Sequence, residues 1–209
     1  MGNALELTEK RYTAMPGLDG YKKIEKIDGV IYEMSPSASI CHGIINGNIY
    51  TAFCNQLKGS MCRVFMENLD FYLGDDEWLV PDIIIVCDPR SIRNGRYRGT
   101  PKFILEILSP STAKRDRLLK KSKYESAGVE ELWIIEPRGK ALEIYYLRDG
   151  RYILEETFLL EEDKEDEDYN ADVRIHLRGF PNLTVTLGEI FDGSDWGSAD
   201  YNGADSENV

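Results

Sequence analysis

Two apolar runs, each associated with one carboxylate, constrain this chain more than any other feature. Asp82 follows Pro81 and opens the run 83–87, and Glu106 lies inside the run 103–108. Short continuous apolar runs between polar segments are typical of buried strands. A carboxylate in a buried strand is costly unless it is paired or binds a cation. We therefore expect both acids to have a partner.

A basic side chain on a predicted helix is the candidate partner. The helix covers about residues 112–127 and ends at Gly128, and it carries Asp116, Lys120 and Tyr124 at positions i, i+4 and i+8. Residues at this spacing share one face of a helix. Spacing alone also allows Lys120 to be a surface residue, like its neighbours.

Two acids on neighbouring strands, with a lysine nearby, can hold Mg²⁺ against a phosphodiester. The pattern therefore favours nuclease chemistry, with Asp82, Glu106 and Lys120 as the candidate residues. Residues 104, 106 and 108 would point to one face of their strand, because side chains alternate along a strand.

The remaining patterns predict a strand-rich chain with two main helices. The second helix covers about residues 40–57, and a short helix is predicted over 8–15. Asp-Gly pairs at positions 28–29 and 149–150 predict β-hairpins. Further strands are predicted at 62–66, 69–73, 132–136, 173–177 and 183–187. This order indicates an α/β or α+β fold with a mixed sheet.

The net charge of −12 argues, taken whole, against a nucleic-acid partner. The segment 88–124 is nevertheless strongly basic, and it brackets the candidate residues. We therefore predict a nucleic-acid-binding surface there, with a merely solvated charged face as the alternative. The predicted contacts are Arg90, Arg93, Arg96, Arg98, Lys114 and Arg115.

The cysteines predict neither a zinc site nor a disulfide framework, because the four show no CxxC spacing and the chain has two histidines. Three of the four lie in apolar or helical stretches, and we expect these to be buried free thiols. Residues 1–10 show no signal peptide and no apolar run reaches membrane-spanning length, so a cytoplasmic protein without a membrane partner is expected. We predict one domain over 1–191 and an acidic, disordered tail over 192–209.

Several motifs in series resemble one protein family. The segment 101–137 contains E-I-L-S-P-S-T, then D-x-x-x-K-x-x-x-Y, then A-G-V-x-E-x-W. Upstream, an acid precedes the Asp-Gly turn at 28–29, and Met34-Ser35-Pro36 is followed by His42-Gly43. The sequence Phe-Pro-Asn-Leu at 180–183 matches downstream. Together these motifs resemble the Uma-two family of restriction endonucleases, a branch of the PD-(D/E)xK superfamily.

The resemblance implies a restriction-endonuclease-like core, with a mixed central sheet, two flanking main helices and additional strands at both ends. It implies catalytic roles for Asp82, Glu106 and Lys120, the lysine having moved from the strand position that Leu108 occupies to the helix. Asp82 and Glu106, with the Ile107 carbonyl, would bind Mg²⁺ or Mn²⁺. The candidate accessory residues are Glu25, His42, Asp116 and Tyr124.

The predicted function is metal-dependent DNA cleavage. The alternative is a non-catalytic module of the same fold that binds nucleic acid or a protein partner. The acidic charge and Leu108 favour the alternative, and the basic segment with the complete Asp82–Glu106–Lys120 set favours the enzyme. A homodimer would reach both DNA strands and stays open.

Overall fold

Strands dominate the computed structural model, which describes residues 12–14, 21–34 and 39–196. The strands are β1 (Tyr12–Ala14), β2 (Tyr21–Ile27), β3 (Val30–Glu33), β4 (Arg63–Met66), β5 (Asp70–Tyr72), β6 (Trp78–Leu79), β7 (Ile83–Val86), β8 (Ile92–Arg93), β9 (Arg96–Tyr97), β10 (Phe103–Ile107), β11 (Glu131–Glu136), β12 (Ala141–Arg148), β13 (Arg151–Leu159), β14 (Arg174–Leu177) and β15 (Phe180–Thr186). The α-helices are α1 (Ile40–Gln56), α2 (Lys121–Ser126) and α3 (Leu187–Phe191).

A mixed sheet lies at the centre of the fold, as the sequence predicted. In the described residues its strand order is β13-β12-β11-β10-β7-β4, with β10 and β11 parallel and the other neighbours antiparallel. Leu105 pairs with Ile83 across β10 and β7. Continuing this register by one residue sets Glu106 beside Asp82, so the two acids meet where the pairing ends.

A second sheet packs against the first, and the sequence did not indicate it as a separate layer. Its order in the described residues is β1-β2-β6-β5-β9-β8, with β3 paired to β2. The segment 90–99, for which no strand was predicted, supplies the short strands β8 and β9. Two-residue strands are too short to leave a periodic signal in a sequence.

The two faces of the central sheet bury two apolar clusters. Ile83, Ile85 and Leu105 face α1 and the C-terminal elements α3, β14 and β15. Ile84 and Ile104 face α2 and the second sheet. Glu106 points to the second side, since it alternates with Leu105 and contacts the helical segment 115–126. The strand periodicity predicted this orientation.

The helix predicted over 112–127 is confirmed over residues 113–126, but part of it is π-helical. A π-helical segment, Arg115–Lys120, continues directly into α2, and Gly128 follows with a φ of 78°. Positive φ costs glycine little, so the predicted stop is confirmed. π-Helical turns are rare and frequently lie at functional sites.

The predictions for the two ends of the chain had different outcomes. The helix predicted over 8–15 is wrong at 12–14, which form β1 on the edge of the second sheet, and its other residues lie outside the described residues. In the segment predicted as a disordered tail, residues 192–196 form turns, with the Ser194 amide donating to the Phe191 carbonyl. Residues 197–209 lie outside the described residues.

The expectation of free thiols is wrong for one pair. Cys62 and Cys87 form a disulfide between β4 and β7, where Arg63 pairs with Val86. The pairing depends on strand register, which a separation of 25 residues without a spacing motif does not reveal. Cys41 and Cys54 are free, as predicted. None of the helices in the described residues has the length and apolar character needed to span a membrane.

Candidate active site

A polar cavity of about 410 Å³ opens where β7 begins and β10 ends. The N-terminus of α1, the loop that follows β4 and the π-helical segment complete its walls. Its ionisable lining residues are His42, Glu67, Asp82, Glu106, Arg115, Asp116 and Lys120. The cavity thus brings together the three predicted catalytic residues, Asp82, Glu106 and Lys120. They lie up to 38 positions apart in the sequence, which does not reveal the other residues of the cavity wall.

Asp82 is held by backbone and by an imidazole. The Ile107 N–H donates to its Oδ2 atom at 2.6 Å, and Nε2 of His42 lies 3.3 Å from the same oxygen. Ile107 was predicted to contribute its carbonyl to a cation, and here its amide positions the carboxylate. That amide contact fixes Asp82 against the neighbouring strand.

Glu106 is held by two side chains of the helical segment. Lys120 Nζ lies 2.7 Å from Glu106 Oε1, and the Tyr124 hydroxyl donates to the same oxygen. Lys120 is 3% exposed, so the surface alternative is wrong. The neighbouring lysines point elsewhere: Lys121 lies over a tyrosine ring and Lys123 pairs with Glu77 at 2.8 Å.

Two further acids surround Lys120. Its Nζ atom lies 3.0 Å from Glu25 Oε1 and 3.8 Å from Asp116 Oδ1. Glu25 also accepts a hydrogen bond from the Val80 N–H at 2.9 Å, and Arg115 Nη2 lies 3.6 Å from its Oε2 atom. Two of the accessory residues named from the resemblance, Glu25 and Asp116, therefore lie around one lysine.

Burial and crowding set the charges in this cluster. Burial raises the pKa of Glu106 well above its usual range, opposed by Lys120 and reinforced by Asp82. Burial also raises the pKa of Asp116. Burial alone would lower the pKa of Lys120, but the surrounding carboxylates, led by Glu106, outweigh it and raise that pKa. Lys120 consequently stays charged at neutral pH.

One acid in the cavity was missed by sequence reasoning. Glu67 directly follows β4, its N–H donates to the Asp82 carbonyl at 3.0 Å, and its Oε1 accepts from Asn46 at 2.8 Å. Its φ is 51°, a left-handed conformation that glutamate rarely adopts. Ligand atoms of His42, Glu67 and Asp82 all lie within 4.8 Å of one another. The sequence gives no signal for Glu67, because an acid after a strand is ordinary.

His42 is placed by the start of α1. The Ser39 side chain caps the helix by accepting from the His42 N–H at 3.2 Å. This cap directs the ring toward Asp82, and the ring interaction with Asp82 raises the His42 pKa although burial opposes it. The histidine is therefore part of the site and not only of the helix start.

The donor set fits a hard divalent cation. Glu25 Oε2 and Asp116 Oδ1 are buried and have no hydrogen-bond partner among the described residues. Carboxylate oxygens are the ligands that Mg²⁺ and Mn²⁺ prefer. Four acids of the cavity wall, with Glu25 behind them, face the two cations Lys120 and Arg115 within the described part of the chain. This excess of negative charge favours a bound cation.

The predicted nucleic-acid contacts divide into two groups. Arg115 lines the cavity and Lys114, which is exposed, precedes it. The other four arginines lie in the segment that follows β7 and forms β8 and β9 at the edge of the second sheet. Arg96 and Arg98 lie over the Tyr72 ring. Arg90 and Arg93 are exposed. DNA binding by these residues stays a prediction.

Comparison with known proteins places the chain. A crystal structure of a putative nuclease belonging to DUF820, from Anabaena variabilis, has the same fold, with a TM-score of 0.64 and 22% identity over 83% of this chain and 92% of the other. An uncharacterized protein of Synechocystis is 28% identical over 130 residues, which is 61% of this chain and 68% of that protein. The family model described as "Putative restriction endonuclease" matches residues 10–185. The resemblance seen in the motifs is thus confirmed, and the chain belongs to the Uma2 family of putative restriction endonucleases.

Proposed function

We propose that this protein is a divalent-cation-dependent DNA endonuclease that hydrolyses phosphodiester bonds. Family membership supports a nuclease function. The observation that carries the finer statement is the contact of 2.7 Å between Lys120 Nζ and Glu106 Oε1, in a cavity that Asp82 also lines. A cationic lysine beside an acidic cation site is the arrangement that phosphate chemistry needs.

Asp82 and Glu106 are the residues that would hold Mg²⁺ or Mn²⁺, with the Ile107 carbonyl as a third ligand. Such a cation, when bound, polarises a phosphate oxygen and lowers the pKa of bound water. Lys120 would stabilise the negative charge of the scissile phosphate, since its own charge is secured by the acids around it. Arg115, which is also at the cavity wall, would contact a neighbouring phosphate.

The accessory residues position this machinery. Glu25 and Asp116 hold the Lys120 ammonium from two sides, and Tyr124 orients Glu106 through its hydroxyl. Tyr124 is fully buried and stacks on Phe71, so it also packs. A cytoplasmic location and a homodimer that reaches both strands remain predictions from the sequence.

The test is cleavage of plasmid, linear duplex, single-stranded DNA and RNA with Mg²⁺ or Mn²⁺. We expect nicking or cutting of DNA by the wild type and none by Asp82→Asn or Glu106→Gln, because each substitution removes a charge that the cation needs. Asp168→Asn and Glu156→Gln are matched controls at exposed positions and should cleave normally.

The outcomes separate the enzyme from the non-catalytic module. If the wild type leaves every substrate intact and binds neither cation in a calorimetric titration, the module is the better description. If the Asp82→Asn and Glu106→Gln proteins cleave as well as the controls, the site assignment is wrong.

A further inference from the structure

We propose that His42, Glu67 and Asp82 form a second cation position, distinct from the Asp82–Glu106 position, that prefers transition-metal ions to Mg²⁺. The inference deepens the proposed function, on which its catalytic role rests, while cation binding at these residues can be tested without DNA. Asp82 would be shared between the two positions.

The geometry of the three side chains is close to that of a bound ion. Their ligand atoms lie within 4.8 Å of one another. Metal–nitrogen and metal–oxygen distances are about 2.0–2.2 Å, so two ligands of one ion are at most about 4.4 Å apart. Side-chain movement toward a common centre would therefore bring all three onto one ion.

His42 has the properties of an uncommitted ligand. The residue is 6% exposed, it lines the cavity, and its Nδ1 atom is buried without a hydrogen-bond partner among the described residues. That atom lies 3.9 Å from Glu67 Oε1, which is too long for a hydrogen bond. A buried polar atom without a partner is costly, and an ion would supply the partner.

Glu106 belongs to the first cation position, because its contacts differ from those of His42 and Glu67. Its Oε1 atom is engaged by Lys120 and Tyr124, on the side of the helical segment 115–126. Glu67 and His42 instead approach Asp82 from the end of β4 and the start of α1, and Asn46 of α1 holds Glu67. Asp82 is therefore the residue that both groups of ligands adjoin.

The ligand types determine which ions the second position would take. Imidazole nitrogen suits first-row transition ions, whereas Mg²⁺ keeps oxygen ligands and water. One nitrogen and two carboxylates therefore favour ions such as Mn²⁺ and Co²⁺. The all-oxygen group around Glu106 has no such preference, so the two positions should fill with different selectivity.

The conformation of Glu67 is consistent with a selected role. Its φ of 51° is costly for any residue that carries a Cβ atom, by roughly 1–2 kcal/mol. This conformation allows the Glu67 N–H to reach the Asp82 carbonyl while the side chain turns into the cavity. The backbone and the side chain of Glu67 thus both adjoin Asp82.

The test uses the full chain with Mn²⁺ and no DNA. Pulsed electron paramagnetic resonance detects nitrogen bound directly to Mn²⁺, and calorimetry gives the number of ions bound. We expect ¹⁴N coupling and two ions in the wild type. Both the coupling and one ion should be lost in His42→Gln and in Glu67→Gln, whereas His176→Gln, at an exposed histidine, should match the wild type. Circular dichroism establishes that each variant is folded.

Glu106→Gln decides whether the positions are separate. We expect this variant to keep the ¹⁴N coupling with one ion fewer, and loss of the coupling would show a single shared site and overturn the inference. Absence of ¹⁴N coupling in the wild type, with Mn²⁺ bound, would also overturn it and would identify His42 as a hydrogen-bonding residue. These readouts are independent of cleavage, so an inactive protein that shows the coupling contradicts the proposed function alone.

Discussion

At the scale of single residues, Lys120 unites the site. The spacing of Asp116, Lys120 and Tyr124 predicted one shared face, and all three are buried around Glu106 and Glu25. The sequence spacing could predict this shared face, because helix geometry fixes which side chains lie on the same side of a helix. It could not predict the depth of burial, which depends on the second sheet that covers the segment.

Replacing Lys120 by Met should destabilise the protein and abolish cleavage. Three buried carboxylates would lose their cation, which costs roughly 3–5 kcal/mol when they are ionised. The pKa of Lys120 is raised above its usual 10.5, so its charge stabilises the fold throughout the range below that value. The loss in free energy of unfolding should be large at pH 8 and smaller at pH 5, where the acids of the variant take up protons.

Urea denaturation of both proteins at the two pH values measures this difference. Lys114→Met, at an exposed position six residues earlier, is the control and should change the free energy of unfolding by less than about 0.5 kcal/mol. Equal stability of wild type and Lys120→Met at pH 8 would contradict the buried ion cluster.

At the scale of elements, β11 carries an acid that fastens the C-terminal hairpin to the central sheet. Glu131 is buried, accepts from the Trp133 indole at 2.7 Å and accepts from the Arg178 N–H, between β14 and β15, at 2.8 Å. Burial raises its pKa to about 7, against the opposing hydrogen bonds. The strand itself was predictable from its apolar run, but this contact was not, because it joins residues 47 positions apart.

Glu131 should make stability pH-dependent. Its folded pKa of about 7 exceeds the ordinary 4.5, so between these values the folded protein holds a proton that the unfolded chain has released. Its contribution is therefore complete below pH 4.5 and is lost as the pH rises to 7, by about 3 kcal/mol. Denaturation curves of Glu131→Gln should lack this decline, whereas Glu130→Gln, whose side chain is exposed, should retain it. A wild-type protein with the pH dependence of Glu131→Gln would refute the assignment.

At the scale of the whole molecule, local pattern and long-range contact differ in how well a sequence reveals them. The central sheet, the β2–β3 and β12–β13 hairpins and the Asp82–Glu106 pair were predictable, because each depends on strand period, on a turn motif or on neighbouring strands. The second sheet, Glu67 and the Cys62–Cys87 disulfide were not, because they depend on how distant segments pack. Net charge was the weakest guide, since the acids and the basic segment are separated along the chain.

The exposed arginines at the edge of the second sheet should contribute to DNA binding. Each phosphate contact adds about 0.9 to the slope of log affinity against log salt concentration. The double substitution Arg90→Ala and Arg93→Ala should therefore reduce the slope by about 2, measured by fluorescence anisotropy in EDTA, where cleavage does not proceed. Arg174→Ala, at an exposed position on β14, should leave the slope unchanged. Affinity that does not vary with salt would exclude a phosphate-contacting surface.

The Cys62–Cys87 disulfide lies at one end of the β4–β7 ladder, and Glu67 and Asp82 lie at the other. A covalent tie at one end restrains the separation of two cation ligands at the other, so oxidation of the thiols should tighten Mn²⁺ binding. Thermodynamic linkage requires the converse: an occupied site must favour the oxidised pair by the same factor. A reducing compartment would therefore lower the affinity for the cation, because it breaks the bond between two sulfur atoms that contact neither the ion nor the substrate. Equal Mn²⁺ affinities with and without dithiothreitol would show that the two ends of the ladder are independent.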